Sequence, residues 1–283
     1  MFARGSLGCQ ALFFHSSDFV AYSHRRNDRN SAGAAQPPGK TGVMRSIANR
    51  LAQVPGVVAV TLGGSRASGT ATDDSDWDFG LYYRGTIDPA DIRALGWPGR
   101  AFAPGDWGRI VDGGAWLTID GIKVDLIYRD IDVVTHWVAE AEDGRFEIQR
   151  EVGYVAGIAT YILAGELALG EALSGALPRP AFSEALRASA PPRWFQLAAG
   201  ALHHAEVHAR RGDSISAFAN LGQAVLATAQ GRIAATGEWA LNEKRIIDRA
   251  GLASTAAALQ LHHDSPEAAT VAIGQLLALP RWG

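Results

Sequence analysis

Five residues carry most of the chemical potential of this chain: Gly64, Ser65, Asp76, Asp78 and Asp125. Gly63-Gly64-Ser65 interrupts a β-branched run, Val57-Val58-Ala59-Val60-Thr61-Leu62. Glycine lets backbone N–H groups approach a ligand closely, and the start of a following helix favours anions. Ser65 adds a hydroxyl donor, so the turn suits the β- and γ-phosphates of a nucleotide. Asp76 and Asp78 alternate around Trp77, and on a strand residues two apart share a face. Neighbouring carboxylates repel one another unless a cation lies between them. Such hard oxygen donors suit Mg²⁺, which also accepts phosphate oxygens and water as ligands. Asp125 interrupts Val124-Asp125-Leu126-Ile127, where an unpaired carboxylate is costly. It requires either a metal or a charge partner such as Lys123. Each feature also has an ordinary explanation: a plain turn, an acidic loop continuing Asp73-Asp74-Ser75, a salt bridge. Only together do they become specific.

The elements that must hold these residues read as α/β from Met44 onward. Ile47, Leu51 and Val54 fall at helical spacing, and 57–62 is a buried strand. A short helix is predicted just after Gly64, and Asp78–Tyr83 is a second strand. Asp88-Pro89 opens a helix through about Leu95, with Asp88 as N-cap and Pro89 at the first helical position. Residues 96–113 read as a loop. Asp120-Gly121 between two apolar runs is a hairpin signal, because a type I′ turn needs positive φ at both central positions. It makes 115–119 and 122–128 antiparallel neighbours. Beyond Asp130 no further strand is predicted. Helices are expected at 131–142, 144–175, 193–211, 214–231, 239–250 and 265–279, with a breaker-rich linker around a short helix at 176–193. The fold class is therefore α+β, a small mixed sheet followed by a C-terminal helical domain. The boundaries predicted are an extension at 1–43, disordered or preceding the natural start at Met44, a catalytic domain at 44–142 and a helical domain at 143–283.

The order of Gly-Ser, then Asp-x-Asp, then a single Asp on a later strand resembles the nucleotidyltransferase superfamily that includes DNA polymerase beta. The resemblance covers residues 57–128. It implies that Gly64 and Ser65 bind phosphate, that Asp76 and Asp78 ligate two Mg²⁺ ions, and that Asp125 ligates the one activating an acceptor hydroxyl. It further implies an NTP, ATP above all, as donor and release of pyrophosphate. By arrangement the helical half is similar to antibiotic nucleotidyltransferases that modify kanamycin or streptomycin, where it covers the nucleotide and forms the acceptor pocket. Arg66 and, from Asn242-Glu243-Lys244-Arg245 on a predicted helix, Lys244 are further phosphate-binding candidates. The acceptor expected is a hydroxyl of a small molecule. A partner protein, as for antitoxin-type enzymes, and a non-catalytic nucleotide-binding protein are the alternatives.

Composition narrows these readings. With 47% hydrophobic and 19% charged residues the chain is globular rather than disordered. A formal net charge of −3 lacks the basic field that attracts nucleic-acid backbones, so a nucleic-acid substrate is disfavoured. Residues 1–43 alone carry a formal +3. Cys9 is the single cysteine, which excludes an internal disulfide and a cysteine-based zinc site and suits a reducing cytoplasm. No apolar segment reaches the roughly 20 residues that span a bilayer. His203, His204, Glu206 and His208 share a helix but lack the His-Glu-x-x-His order, and read as a polar face. Trp97, Trp107 and Trp116 read as core residues by default, with stacking on a base or acceptor as the alternative. A sugar-nucleotide glycosyltransferase would also use Asp-x-Asp, but the Gly-Ser turn and Asp125 argue against it.

Overall fold

Alternation of apolar and polar side chains, read along two neighbouring strands, organises the molecule. The computed structural model describes residues 38–64 and 76–255, together with 270, 271 and 274. Helix α1 (Pro38–Leu51) leads into β1 (Val57–Leu62), then β2 (Trp77–Tyr83), α2 (Pro89–Ala94), β3 (Gly99–Ala101), β4 (Gly114–Ile119), β5 (Ile122–Asp130) and α3 (Ile131–Glu142). The sheet order is β3-β4-β5-β2-β1-β8, where β8 is Glu171–Ser174. Among the described strands of this sheet β2 and β5 run parallel, and the other pairs are antiparallel. The fold is α+β, a mixed six-stranded sheet with a helical C-terminal region, as the sequence predicts.

One face of the sheet closes on α1 and α2. Trp77, Phe79, Leu81 and Tyr83 of β2, with Val124, Leu126 and Tyr128 of β5, pack there against Met44, Ile47, Ala48 and Leu51 of α1 and Ile92 of α2. The caps behave as anticipated: the Asp88 carboxylate accepts from the Ala90 N–H at 2.7 Å, and Pro89 opens α2. Asp120 and Gly121 both have positive φ, 51° and 79°, and join β4 to β5 with Ile119 opposite Ile122. Helix α1 starts at Pro38, six residues before Met44, where the sequence pattern places the start of periodic structure.

Several expectations fail beyond Asp130. The stretch 144–175 is not one helix; it holds a hairpin, β6 (Ile148–Glu151) and β7 (Tyr154–Ala159), then α4 (Ile162–Leu169) and β8. Gly153 and Gly157, at φ 90° and 98°, have backbone conformations that a helix excludes. A Cβ at Gly157 would lie 2.8 Å from the Gln149 carbonyl oxygen. β8 returns to pair with β1, Thr61 opposite Ala172, so strands do not stop at Asp130. Residues 96–113 include the short edge strand β3, with Arg100 opposite Trp116. The breaker-rich linker is instead the start of a long helix, α5 (Glu184–Arg210), which runs through Pro191 and Pro192. Leu186, Ala190, Pro191 and Trp194 are buried there, and that packing offsets the backbone hydrogen bonds the prolines cannot make. Helix α6 (Ser214–Thr236) is capped by Asp213 and by left-handed Gly237. Of the helix expected at 239–250 only α7 (Ile246–Arg249) forms. The helix expected at 265–279 lies outside the described residues. Among the described residues no helix is long and apolar enough to cross a membrane.

The second core lies across the other face, where Ala59 and Tyr82 of the sheet meet Val134 of α3, Leu163 of α4, Trp194 of α5 and Ala227 of α6. Arg129 ties this region together. Its Nε and Nη2 donate to the two Glu166 oxygens at 2.6 Å each, and Nη1 donates to the carbonyls of Val111 and Tyr128 at 2.8 and 2.9 Å. Burial opposes the guanidinium charge, and Glu166 on α4 more than offsets it. Arg129→Ala would leave Glu166 facing that site without a partner. We expect it to lower unfolding stability by about 3 kcal/mol in urea denaturation; a loss well below 1 kcal/mol would show that α4 is held without the ion pair.

Candidate active site

The parallel pairing of β2 with β5 sets Asp78 directly beside Asp125. Their neighbours Trp77, Phe79, Val124 and Leu126 are buried on the opposite face, so alternation directs both carboxylates to the same, half-buried side. Strands in a sheet lie about 5 Å apart, which makes the two acids immediate neighbours. Asp76 stands exposed one residue before β2.

Gly64 meets this pair at the end of β1. The Gly63 N–H donates to the Asp78 carbonyl at 2.8 Å, pinning the turn to β2. Gly64 has φ 63°, and a Cβ there would lie 1.8 Å from Asp78 Oδ2 and 2.7 Å from its Cγ. The glycine thus serves both a left-handed turn and the space that the Asp78 carboxylate fills. Ser65, Arg66 and the short helix expected after Gly64 lie outside the described residues.

Asp125 shows the electrostatic consequence. Burial, then repulsion from Asp78 and Asp76, raises its carboxyl pKa to about 6, while Lys244 and Lys123 pull it down. Lys244 acts on it more strongly than Lys123 for a structural reason: a segment over eighty residues beyond β7 is fastened back onto that strand. The Glu243 carboxylate accepts from the Val155 and Ala156 N–H groups at 2.9 and 2.8 Å. Asn242 Oδ1 accepts from the Lys244 N–H at 2.9 Å, and Arg245 has φ 56°. These contacts explain why Asn242-Glu243-Lys244-Arg245 is a turn and not the helix its composition suggests. Glu243 is a site-supporting residue that sequence reasoning missed; a side chain bonding to backbone so distant leaves no local signal.

The structure therefore brings Gly64, Asp76, Asp78, Asp125 and Lys244 into one neighbourhood. Carboxylate oxygens are the donors Mg²⁺ prefers, and the crowding of like charge at Asp125 is what a divalent cation relieves. The donor set fits such an ion in kind, although among the described residues no three acidic, His or Cys groups already converge on a single point. The histidine-bearing face of α5 has other engagements: His208 Nδ1 lies 3.1 Å from Asp213, Glu206 pairs with Arg210, and the His203 and His204 rings meet edge to face. Of the three tryptophans, Trp97 lies under the Arg50 guanidinium at 4.3 Å and packs against the first core. Trp116 departs from the expected burial, being 46% exposed.

Residues 44–145 match the family model described as a nucleotidyltransferase domain. The matched span holds Gly64 and all three carboxylates. No curated protein matches the chain. Among solved structures, a nucleotidyltransferase-like protein from Exiguobacterium sibiricum 255-15 is similar at 12% identity and a TM-score of 0.39, over 84% of this chain and 74% of that one.

The raised pKa of Asp125 makes the stability of the fold depend on pH. Unfolded, the group titrates near its ordinary value, so between about pH 4 and 6 the folded chain holds more protons than the unfolded one. Stability from this group is then full below pH 4 and is lost as pH rises through 6. Asp125→Asn is expected to flatten that decline and to melt several degrees higher than wild type at pH 7.5 without divalent cations. Thermal denaturation across pH 4–8 tests this, and equal melting at pH 7.5 would contradict it.

Proposed function

We propose that this protein transfers a nucleoside monophosphate, AMP from ATP, to a hydroxyl group of a small molecule, with an aminoglycoside-like compound as one such acceptor. The observation that supports this reading most is the register that sets Asp78 beside Asp125 and leaves the Gly64 turn against Asp78. Gly64, Ser65 and Arg66 hold the β- and γ-phosphates, and Lys244 reaches the triphosphate from the helical half. Asp76 and Asp78 would hold two Mg²⁺ ions, with Asp125 sharing the one on the acceptor side. Bound there, the ions would supply charge neutralisation and acidification of the acceptor hydroxyl.

The chain's own groups do the remainder. The acceptor oxygen bonds to the α-phosphorus as the bond to the β-phosphate oxygen breaks, and pyrophosphate leaves. Asp125 takes the hydroxyl proton; its raised affinity for protons, in a site crowded with like charge, suits that role. Residues 44–142 serve as the catalytic domain, and 143–283 cover nucleotide and acceptor. Positioning and electrostatics account for most of the catalysis, as in other phosphoryl and nucleotidyl transfers.

Incubation with ATP labelled on its α-phosphate, Mg²⁺ and pooled hydroxyl compounds should yield a labelled acceptor and free pyrophosphate. Asp78→Asn or Asp125→Asn should reduce transfer by at least about a hundredfold. Mg²⁺ should raise the melting temperature of wild type and leave that of Asp78→Asn unmoved. Label found only on polypeptide would identify a protein-modifying enzyme instead, and ATP binding without any transfer would identify a regulatory protein. For Lys244→Gln the expectation is a KM for ATP raised about tenfold, the size of one lost charge-assisted contact. Glu243→Ala should move the same constant in the same direction, since Lys244 then loses its anchor. A change confined to the acceptor's KM would refute the assignment of Lys244.

A further inference from the structure

The face of the sheet that carries Asp125 continues past it onto a set of aromatic rings. Trp116 on β4 is the direct antiparallel partner of Asp125, so both side chains leave the same face about 5 Å apart. Trp116 is 46% exposed, yet it is held firmly. Its ring stacks on Trp107 at 5.4 Å and 25° and meets Phe102 edge-on at 4.8 Å. Phe102 also packs on Trp107 at 5.0 Å, and the Arg100 guanidinium lies 4.5 Å over the Phe102 ring. Gly114 leaves room for this arrangement: a Cβ there would lie 2.5 Å from the Trp107 ring. A braced, exposed indole is a binding surface that loses little conformational entropy when it is covered.

Its place across the sheet says what covers it. From one side to the other run Gly64 at the end of β1, Asp78 on β2, Asp125 on β5, Trp116 on β4 and Arg100 on β3. If the phosphates lie on the Gly64 side, as the nucleotidyl transfer reading on which this step rests requires, Trp116 lies on the far side of Asp125, where the attacking hydroxyl must come from. We propose that Trp116 is the acceptor platform, and that it stacks against the C–H face of a saturated ring bearing several hydroxyls, a sugar or a cyclitol. Such a ring lays its apolar face on the indole while an edge hydroxyl reaches the Asp125 carboxylate. Anionic acceptors are opposed by Asp76, Asp78 and Asp125, and by the Glu151 carboxylate lying against Gly108, the residue after Trp107.

The test is steady-state kinetics with α-labelled ATP and a pool of monosaccharides, inositols and aminocyclitols, alongside calorimetric titration with MgATP. Trp116→Ala should raise the KM of the ring acceptor about tenfold and leave the KM of ATP unchanged. Trp116→Phe, which keeps a ring against Trp107 and Phe102, should recover most of the loss and melt near wild type. A rise in the KM of ATP with the acceptor's unchanged would overturn the proposal and make Trp116 a base-stacking residue. MgATP binding with no ring compound labelled would overturn the platform alone. Failure of wild type to bind MgATP would overturn the nucleotidyl transfer reading itself, and the platform with it.

Discussion

Everything in the site depends on one backbone constraint, the parallel register of β2 against β5. That pairing fixes which residues are neighbours, and it makes Asp78 and Asp125 a pair. The same register puts Phe79 beside Leu126 in the core below. Because side chains alternate, a slip of one residue in either strand would drive its acid into the core and bring its buried side chains to the surface. Apolar burial on one face therefore holds together two like charges on the other, at an electrostatic cost visible in the raised pKa of Asp125. Charge repulsion of this kind destabilises the fold and prepares the site at once, since whatever relieves it binds there more strongly.

The rest of the chain limits that cost by bringing opposite charge and rigid support to the same sheet. Arg129, four residues after Asp125 on the same face, joins the sheet to α4 through a bidentate pair with Glu166. β8 returns from far along the sequence to cover the edge of β1, the strand that ends in the Gly64 turn. Glu243 fastens the Lys244 turn to two backbone N–H groups of β7. The C-terminal region is thus more than a helical cover, because its polar anchors carry a cation toward the carboxylates.

Legibility varied with the range of the interactions. The Asp88-Pro89 helix start, the Asp120-Gly121 hairpin and helix 131–142 were readable because each is decided by neighbours in the chain. The hairpin even contained the Trp116–Asp125 pairing: a two-residue turn between Ile119 and Ile122 makes it follow by counting. The exposure of Trp116 did not follow, since it depends on Phe102 and Trp107 supporting the ring from a stretch that reads as featureless loop. Residues 144–175 do not form the single helix expected: the apolar positions of 148–159 suit a partly buried hairpin as well as a helix, and Gly153 and Gly157 are the signal against a helix. Pro191 and Pro192 misled in the opposite direction, as burial of Trp194 and its neighbours outweighs the missing hydrogen bonds.

By itself the sequence determined the chemistry on offer: a glycine turn for anions, carboxylates for a divalent cation, and no basic field for nucleic acid. Residue type dictates these properties wherever the chain goes. Tertiary structure decided which of the groups meet. Asp125 stands beside Asp78 only because β5 runs parallel to β2, which takes a connection of thirty-eight residues between the strands and no local signal encodes it. Lys244 and Glu243 reach the sheet only because the C-terminal region folds back over it. Long-range pairing is settled by burial of the whole core, and for that reason the candidate residues, Lys244 among them, could be named from the chain while their neighbours in space could not.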